Sequence, residues 1–127
     1  MSVGLVVVSH SERAATGIRE IAAEMAGDTR IEAVGGDGQG GIGTVPDAIT
    51  AALAAADDGD GVVVLGDLGS AVMNADVAIE MADVDAVIAD APVLEGAVNA
   101  AVAATDPNAT VETVREQAEA AREIEKL

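Results

Sequence analysis

The single histidine, His10, and the carboxylate of Asp67 are the side chains of this sequence best suited to covalent chemistry. A neutral imidazole can attack phosphorus through one ring nitrogen and then hold the phosphoryl group covalently. That nitrogen needs a free lone pair, so a carboxylate that accepts a hydrogen bond from the other nitrogen selects the useful tautomer. We predict that His10 accepts a phosphoryl group and that Asp67 orients its ring.

Hydroxyl and glycine residues close to these two in the sequence could surround a bound phosphoryl group. Hydroxyls and backbone amides at a helix start can share the charge of a transition state, so this chemistry needs no metal ion. These residues also have structural alternatives. Serine and threonine often cap helices, and Asp67 could simply close a turn. The candidates for phosphate support are Ser9, Ser11, Gly43, Thr44, Gly69 and Ser70.

Other kinds of site have little support in the composition. The chain has no cysteine and one histidine, which excludes disulfides and thiolate metal sites and disfavours structural zinc. A glycine-rich loop at 35–43 lacks the Gly-Lys-Ser/Thr ending of a P-loop, so a nucleotide site is weakly supported. We therefore expect no metal and no tightly bound cofactor, only a phosphoryl group carried on His10.

The chain is strongly acidic, with 23 carboxylates against 6 lysines and arginines, and it has no aromatic residue. It offers no basic stripe and no stacking side chains, so we expect no binding to nucleic acid. The carboxylates behind the net charge of −17 repel one another in dilute buffer, and concentrated salt screens that repulsion. We favour adaptation to high salt over an acidic partner-binding surface, and we expect thermal stability to rise with added KCl.

The length of 127 residues fits one domain over 1–127. No apolar run approaches the roughly 20 residues of a membrane span. The N-terminus lacks the basic and then apolar pattern of a secretory signal. We expect a cytoplasmic protein that does not contact a membrane.

Strand and helix patterns alternate along the chain. Near-continuous apolar strands separated by helices imply a parallel sheet with helices on both faces. The predicted fold class is therefore three-layer α/β/α, with the strand order 2-1-3-4. The predicted strands lie at 3–8, 29–34, 61–65 and 86–89.

Local signals also predict helix starts and buried faces. Ser9 and Glu12 have the spacing of a capping box, which would place His10 in the first helical turn. Thr44 is a candidate N-cap for the second helix, followed by Pro46 in its first turn. The predicted buried faces are Ala14, Ile18, Ile21 and Met25, then Ile49, Leu53 and Ala56, then Val72, Ala75 and Ile79, and finally Val111, Val114, Ala118 and Ala121 after a cap at Thr110.

The predicted topology brings the two chemical residues together. In such sheets, ligands bind beyond the carboxyl ends of the strands, at the switch point between strands 1 and 3. His10 follows the first strand and Asp67 follows the third. We therefore expect their side chains to meet at this edge.

Four segments of the sequence resemble the DhaM phosphotransfer subunits of phosphoenolpyruvate-dependent dihydroxyacetone kinases, which are part of the mannose-type enzyme IIA family. The resemblance extends in order over nearly the whole chain, and the combination of segments is more specific than any one of them. The segments are Val3–Ser11, Gly35-Gly36 with Ile42-Gly43-Thr44, Leu65–Ala71 with Met73-Asn74, and Asp90–Ala97.

The resemblance implies a phosphohistidine carrier in a phosphoenolpyruvate–glycerone phosphotransferase system. His10 matches the histidine that takes phosphate on Nε2 from the phosphocarrier HPr, and Asp67 matches the aspartate bound to its other nitrogen. The phosphate would pass to ADP on the DhaL subunit, and the resulting ATP would phosphorylate dihydroxyacetone on DhaK. A homodimer is also implied. Some relatives carry HPr-like and enzyme I-like domains after this one, and we expect those on separate proteins because the sequence stops at Leu127.

Two alternatives remain at this point. A mannose-type enzyme IIA of a sugar transport system would use the same His10 and pass phosphate to a IIB protein. A non-enzymatic regulatory module of flavodoxin-like shape would need no titratable pair at the switch point.

Overall fold

The computed structural model describes residues 1–127 and shows four parallel strands in the order β2-β1-β3-β4. This confirms the predicted fold class and strand order, and each strand lies within two residues of its predicted bounds. The strands are β1 Gly4–Ser9, β2 Ile31–Gly35, β3 Val62–Gly66 and β4 Ala86–Ile88. The helices are α1 Glu12–Ala23, α2 Pro46–Ala56, α3 Gly69–Met81, α4 Val93–Ala104 and α5 Val111–Glu119, followed by a 3₁₀ turn at Ala120–Glu123.

The sheet is covered on both faces, which is why its strands read as unbroken apolar runs. Along β1, Leu5 and Val7 point into a core shared with α1, α4 and α5. The intervening Val6 and Val8 point into a second core shared with α2 and α3. Both cores are built from aliphatic residues and alanine, so the helices approach the sheet closely without any aromatic side chain.

The predicted start of α1 is wrong. The helix begins at Glu12 and its N-cap is Ser11, whose hydroxyl accepts a hydrogen bond from the Ala14 amide at 3.2 Å. Ser9 is instead the last residue of β1, and its hydroxyl donates to Asp67 and accepts the Ser11 amide, not an amide of the helix. His10 therefore lies in the short connection before α1 and not in its first turn.

The predicted buried face of α1 is wrong in three of its four positions. Ala15 and Ala22 are the fully buried residues, and Ile18 packs against the same core. Ala14 is exposed, as are Ile21 and Met25, whose exposed fractions are 52% and 50%. The physical reason is that alanines let α1 lie close to the sheet, and larger side chains would hold it away.

The other predicted faces are largely confirmed. The buried residues of α2 include Ile49, Leu53 and Ala56, and all four predicted residues of the C-terminal segment are buried. In α3, Ala75 is buried and Ile79 is partly buried, but Val72 is exposed and its place is taken by Ala71 and Ala78. Alanine again replaces the larger side chain where the helix meets the sheet.

The predicted caps are confirmed for α5 and wrong for α2. Thr110 caps α5 in a reciprocal pair with Thr113. At α2 the N-cap is Val45, with Pro46 in the first turn as predicted, and no side chain closes the helix. The Thr44 hydroxyl does not cap α2; it accepts a hydrogen bond from the side-chain amide of Asn74 in α3.

No helix of the structure combines the length and the apolar character that crossing a membrane would require.

Candidate functional site

The candidate site lies at the carboxyl ends of β1 and β3, the two central strands. Their register places Val8 opposite Gly66, so both strands end at the same level of the sheet. The chain then leaves β1 through His10 and leaves β3 through Asp67. A backbone hydrogen bond of 3.1 Å from the Asp67 amide to the Val8 carbonyl holds the two exits together. The two residues meet at the edge where the sequence predicts them to meet.

His10 and Asp67 make two direct contacts. The ring Nδ1 of His10 lies 2.9 Å from Asp67 Oδ1, and the His10 amide donates to Oδ2 at 3.0 Å. Because an ionised carboxylate can only accept, the hydrogen of a neutral His10 ring lies on Nδ1. The lone pair is therefore on Nε2, the nitrogen on the opposite side of the ring.

Ser9 fixes the carboxylate of Asp67 from below. Ser9 is 2% exposed, and its hydroxyl donates to Asp67 Oδ2 at 2.8 Å. That hydroxyl also accepts the Ser11 amide at 3.1 Å, so its own hydrogen is directed towards Asp67. The Leu68 amide donates to the other carboxylate oxygen, Oδ1, at 2.8 Å. Each oxygen of Asp67 thus accepts two hydrogen bonds, and the carboxylate cannot turn without breaking several of them.

The hydrogen bonds also set the charge state of Asp67. Partial burial of this carboxyl acts to raise its pKa, but the hydrogen bonds from the His10 amide, the His10 ring and the Ser9 hydroxyl outweigh that effect. The net result is a pKa below the ordinary value, so Asp67 is ionised at neutral pH. An ionised carboxylate is the form that can stabilise positive charge on the imidazole.

The opposite side of the ring is open. His10 Nε2 lies 2.6 Å from the Ser70 hydroxyl, which is exposed and belongs to the first turn of α3. The amides of Gly69 and Ser70 begin that helix and have no acceptor within the chain. The hydroxyl that contacts Nε2 thus belongs to a helix start that has two free amides and the positive end of a helix dipole.

The loop after β2 supports the backbone of His10. The Gly43 amide donates to the His10 carbonyl at 2.9 Å. At Gly35, a Cβ atom would lie only 2.6 Å from the Ser9 carbonyl oxygen, so glycine is needed for β2 to pass so close to the site. The bond from Asn74 to Thr44 ties the end of this loop to α3. The loop therefore supports both the His10 backbone and α3, the two elements that meet at the site.

The structure brings some of the predicted site residues together and separates others. His10, Asp67, Ser9 and Ser70 form one hydrogen-bonded network, and Gly69 presents its free amide beside it. Ser11 reaches the network only through its amide, because its hydroxyl caps α1. The Gly43 amide and the Thr44 hydroxyl are both engaged within the protein. Their predicted contact with phosphate stays a prediction.

Two contributors to the site were not predicted in these roles, the Leu68 amide and the Asn74 side chain. Leu68 acts only through its backbone, which no side-chain pattern can reveal. The described side chains bring together no group of three metal-ligating residues among histidine, cysteine, aspartate and glutamate.

Comparison with known proteins identifies one family model, EIIA-man, described as "PTS system fructose IIA component", over residues 4–115. Among curated relatives, the phosphotransferase subunit DhaM of a PTS-dependent dihydroxyacetone kinase from Lactococcus lactis is 38% identical over 119 residues. That alignment covers 94% of this chain and 95% of the relative.

Solved structures repeat the architecture. A crystal structure of a protein of unknown function has a TM-score of 0.81 and 29% identity, and the match covers 94% of both chains. The mannose/sorbose-specific IIA subunit of the phosphotransferase system from Enterococcus faecalis has a TM-score of 0.61 at 21% identity, covering 100% of this chain and 96% of that one. The second likeness concerns the fold alone.

Proposed function

The chain belongs to the EIIA-man family and, within it, to the DhaM phosphotransferase subunits, and we propose that His10 relays a phosphoryl group between two partner proteins. One observation carries the proposal. The Nδ1 side of the ring is held by Asp67, and the lone pair of Nε2 faces Ser70 and the open start of α3. This is the arrangement that a phosphoryl acceptor on Nε2 requires.

In the proposed acceptance step, the lone pair of Nε2 attacks the phosphorus of a phosphohistidine on the donor protein. The new Nε2–P bond forms as the donor's N–P bond breaks, and the donor nitrogen takes the electron pair of that bond. Positive charge develops on the His10 ring, and the ionised Asp67 stabilises it through the Nδ1 hydrogen. The Ser70 hydroxyl must leave Nε2 in this step, and it can then donate to a phosphoryl oxygen.

The start of α3 is well placed to hold the phosphoryl group. The free amides of Gly69 and Ser70 point from the N-terminus of a 13-residue helix, where backbone donors and the helix dipole favour an anion. Donors that are already positioned stabilise the transferring group without reorganisation. These donors would hold the phosphoryl group on His10 and leave its phosphorus accessible to an acceptor.

We propose the partners from the family membership. The curated relatives are subunits of dihydroxyacetone kinases that depend on phosphoenolpyruvate or the phosphotransferase system. The donor proposed here is an HPr-like phosphocarrier, and the acceptor is ADP bound to a DhaL subunit, whose ATP phosphorylates dihydroxyacetone on DhaK. The relay would operate in the cytoplasm, with this chain as a homodimer. It would need no tightly bound cofactor, because the phosphoryl group is carried on His10 itself.

Reconstitution tests this proposal. Phosphoenolpyruvate, enzyme I, HPr, DhaL and DhaK are combined with the wild-type chain, with the His10→Ala chain or with no chain, and dihydroxyacetone phosphate is measured. We expect product only with the wild-type chain. Equal product in all three mixtures would contradict the relay. A wild-type chain that is phosphorylated by HPr but passes phosphate to a sugar-specific IIB protein, and not to DhaL, would assign it to sugar transport instead.

A further inference from the structure

A second link between α3 and the loop after β2 lies one helical turn beyond Ser70. The side-chain amide of Asn74 donates to the Thr44 hydroxyl at 2.5 Å, across 30 positions of the sequence. Asn74 follows Ser70 by four residues, so the two side chains lie on the same side of α3. Ser70 contacts His10 Nε2 at 2.6 Å, which makes this the side of the helix that faces the site.

The link closes a ring of contacts around the open side of the His10 ring. On one side, Thr44 directly follows Gly43, whose amide donates to the His10 carbonyl at 2.9 Å. On the other side, Asn74 joins Thr44 to the helix that carries Ser70. The Thr44 hydroxyl is thus tied both to the backbone of the reactive histidine and to the helix beside its free nitrogen.

The direction of this hydrogen bond leaves one hydrogen unused. Because the Asn74 amide donates, the Thr44 oxygen is the acceptor, and the Thr44 hydroxyl donates to no other group of the chain. Other threonines differ in this respect. The hydroxyls of Thr50, Thr105 and Thr113 each donate to a backbone carbonyl three or four residues earlier. Thr44 is half-buried and accepts without donating, so its hydrogen remains available to a ligand.

The proposed relay has a use for a donor at this place. The donors assigned above to the phosphoryl group, the amides of Gly69 and Ser70 and the Ser70 hydroxyl, all belong to α3. On the opposing loop the Gly43 amide is already taken by the His10 carbonyl, and Thr44 supplies a hydroxyl from that side. Negative charge in the transition state is spread over three phosphoryl oxygens, so donors on two sides stabilise it better than donors on one.

We propose that Asn74 is a positioning residue for phosphoryl transfer, which holds the Thr44 hydroxyl so that its hydrogen is donated to an oxygen of the phosphoryl group on His10. The inference rests on the proposed relay and adds to it a residue with no contact to His10 or Asp67. Thr44 and Asn74 keep all their covalent bonds throughout, and only hydrogen bonds change. By donating to the Thr44 oxygen, Asn74 also polarises the hydroxyl and makes it a stronger donor.

Two substitutions of Asn74 separate this positioning from a purely mechanical link. Asn74→Asp keeps the size of the side chain, but a carboxylate only accepts, so it would take the Thr44 hydrogen away from the phosphoryl group. Asn74→Ala removes the link and leaves that hydrogen free. We expect transfer from HPr to slow about five- to tenfold for Asn74→Asp and about twofold for Asn74→Ala. A mechanical link predicts the opposite order, because only the alanine variant loses the contact. That order, or equal rates, would overturn the proposal.

A Thr44→Val background controls for the charge that Asn74→Asp adds. Valine resembles threonine in shape but has no hydroxyl, so Thr44→Val alone should slow transfer about five- to tenfold, and Thr44→Ser should restore it. Adding Asn74→Asp to Thr44→Val should slow transfer no further, because the effects of residues that act through one another do not add. A further slowing as large as that of Asn74→Asp alone would mean charge repulsion and would overturn the proposal. The matched control Thr50→Val should transfer at the wild-type rate.

NMR distinguishes a contact with the phosphoryl group from support of the local fold. In the phosphorylated chains, the ³¹P chemical shift should change in Thr44→Val and Asn74→Asp and stay at the wild-type value in Thr50→Val. In the unphosphorylated chains, the ¹⁵N signals of the His10 ring should show the wild-type tautomer in every variant. A changed tautomer in Thr44→Val would mean that the link only supports the fold of the site, and would contradict the proposal.

The wild-type chain separates failure of this inference from failure of the relay. A wild-type chain that HPr does not phosphorylate on His10 would contradict the relay, and this inference with it. A wild-type chain that is phosphorylated, with Thr44→Val accepting phosphate at the same rate, would contradict this inference alone.

Discussion

The two sides of the His10 ring differ in almost every physical respect. On the Nδ1 side, the Asp67 carboxylate accepts four hydrogen bonds from backbone and side-chain donors, and the buried Ser9 holds it in place. On the Nε2 side, one exposed hydroxyl, that of Ser70, approaches the nitrogen, and the neighbouring amides of α3 are free. One side, the closed side, is fixed by hydrogen bonds within the protein, and the other, the open side, has exposed donors that are largely unused.

In the proposed relay, this difference between the two sides of the ring would make one histidine reactive. The closed side decides which nitrogen has the lone pair, and in the proposed relay it would stabilise the positive charge that develops on the ring. The open side has amides without an internal acceptor, so in the proposed relay an arriving phosphoryl group would displace no internal hydrogen bond except that of Ser70. Changes on the closed side should therefore affect transfer more than changes on the open side.

The largest effect is expected from Asp67→Asn. The amide can donate to Nδ1, which would move the ring hydrogen to Nε2 and remove the nucleophilic lone pair. We expect phosphate transfer from HPr to slow by about 10²- to 10⁴-fold, as when the orienting carboxylate of a catalytic histidine is lost. Quenched-flow measurement of labelled His10 checks the rate, and an unchanged rate would remove Asp67 from the mechanism.

A smaller effect on the same side is expected from Ser9→Ala. The substitution removes the hydrogen bond to Asp67 Oδ2 and leaves the Ser11 amide without its acceptor, so we expect transfer to slow about tenfold. The Nδ1–H tautomer of His10 should also be less populated in this variant. Because His10 is the only histidine, ¹⁵N NMR can follow its ring nitrogens without further assignment.

The matched control for Ser9 is Thr50→Ala. It removes a part-buried hydroxyl of α2 that donates to the Pro46 carbonyl and makes no hydrogen bond to His10, Asp67 or Ser9. The control should leave both the transfer rate and the tautomer unchanged. If Ser9→Ala behaves like the control, Ser9 has no part in orienting Asp67.

On the open side, Ser70→Ala should have the smallest effect on rate. The hydroxyl is exposed, so a water molecule can replace it as a donor to the phosphoryl group. We expect transfer to slow by about two- to fivefold, together with faster hydrolysis of the phosphorylated chain. A loss as large as that of Asp67→Asn would reverse the proposed ranking of the two sides.

The closed side should also leave a small signature in the pH dependence of stability. The pKa of Asp67 lies below its ordinary value of 3.8 in the folded chain, so the unfolded chain binds more protons near that pH. This stabilisation is present above pH 3.8 and is lost as the pH falls through the folded-state pKa. Urea midpoints should therefore decrease more steeply with acid for wild type than for Asp67→Asn, and parallel curves would contradict the shift.

The sequence allowed the meeting of His10 and Asp67 to be predicted because it follows from topology. Apolar runs identified the strands, and the rules for parallel sheets placed their carboxyl ends at one edge. The partner of Ser9 could not be predicted in the same way. Its contact with Asp67 joins residues 58 positions apart, and the local pattern Ser-x-x-Glu pointed to a helix cap instead.

The buried face of α1 shows a second reason for error. Large apolar residues at helical spacing predicted that Ile21 and Met25 would be buried, but Ala15 and Ala22 contact the sheet. In a protein whose helices lie close to the sheet through alanine, side-chain size is a poor guide to burial. The exposed apolar residues of α3 arise in the same way.

The most direct test of the central claim is to locate the phosphoryl group on the chain. After incubation with phosphorylated HPr, intact mass and ¹⁵N NMR should show one phosphoryl group, labile in acid and stable in alkali, on Nε2 of His10. The hydrogen on Nδ1 should remain there and stay hydrogen-bonded to Asp67. A phosphoryl group on Nδ1, or equal labelling of the His10→Ala chain, would contradict the claim.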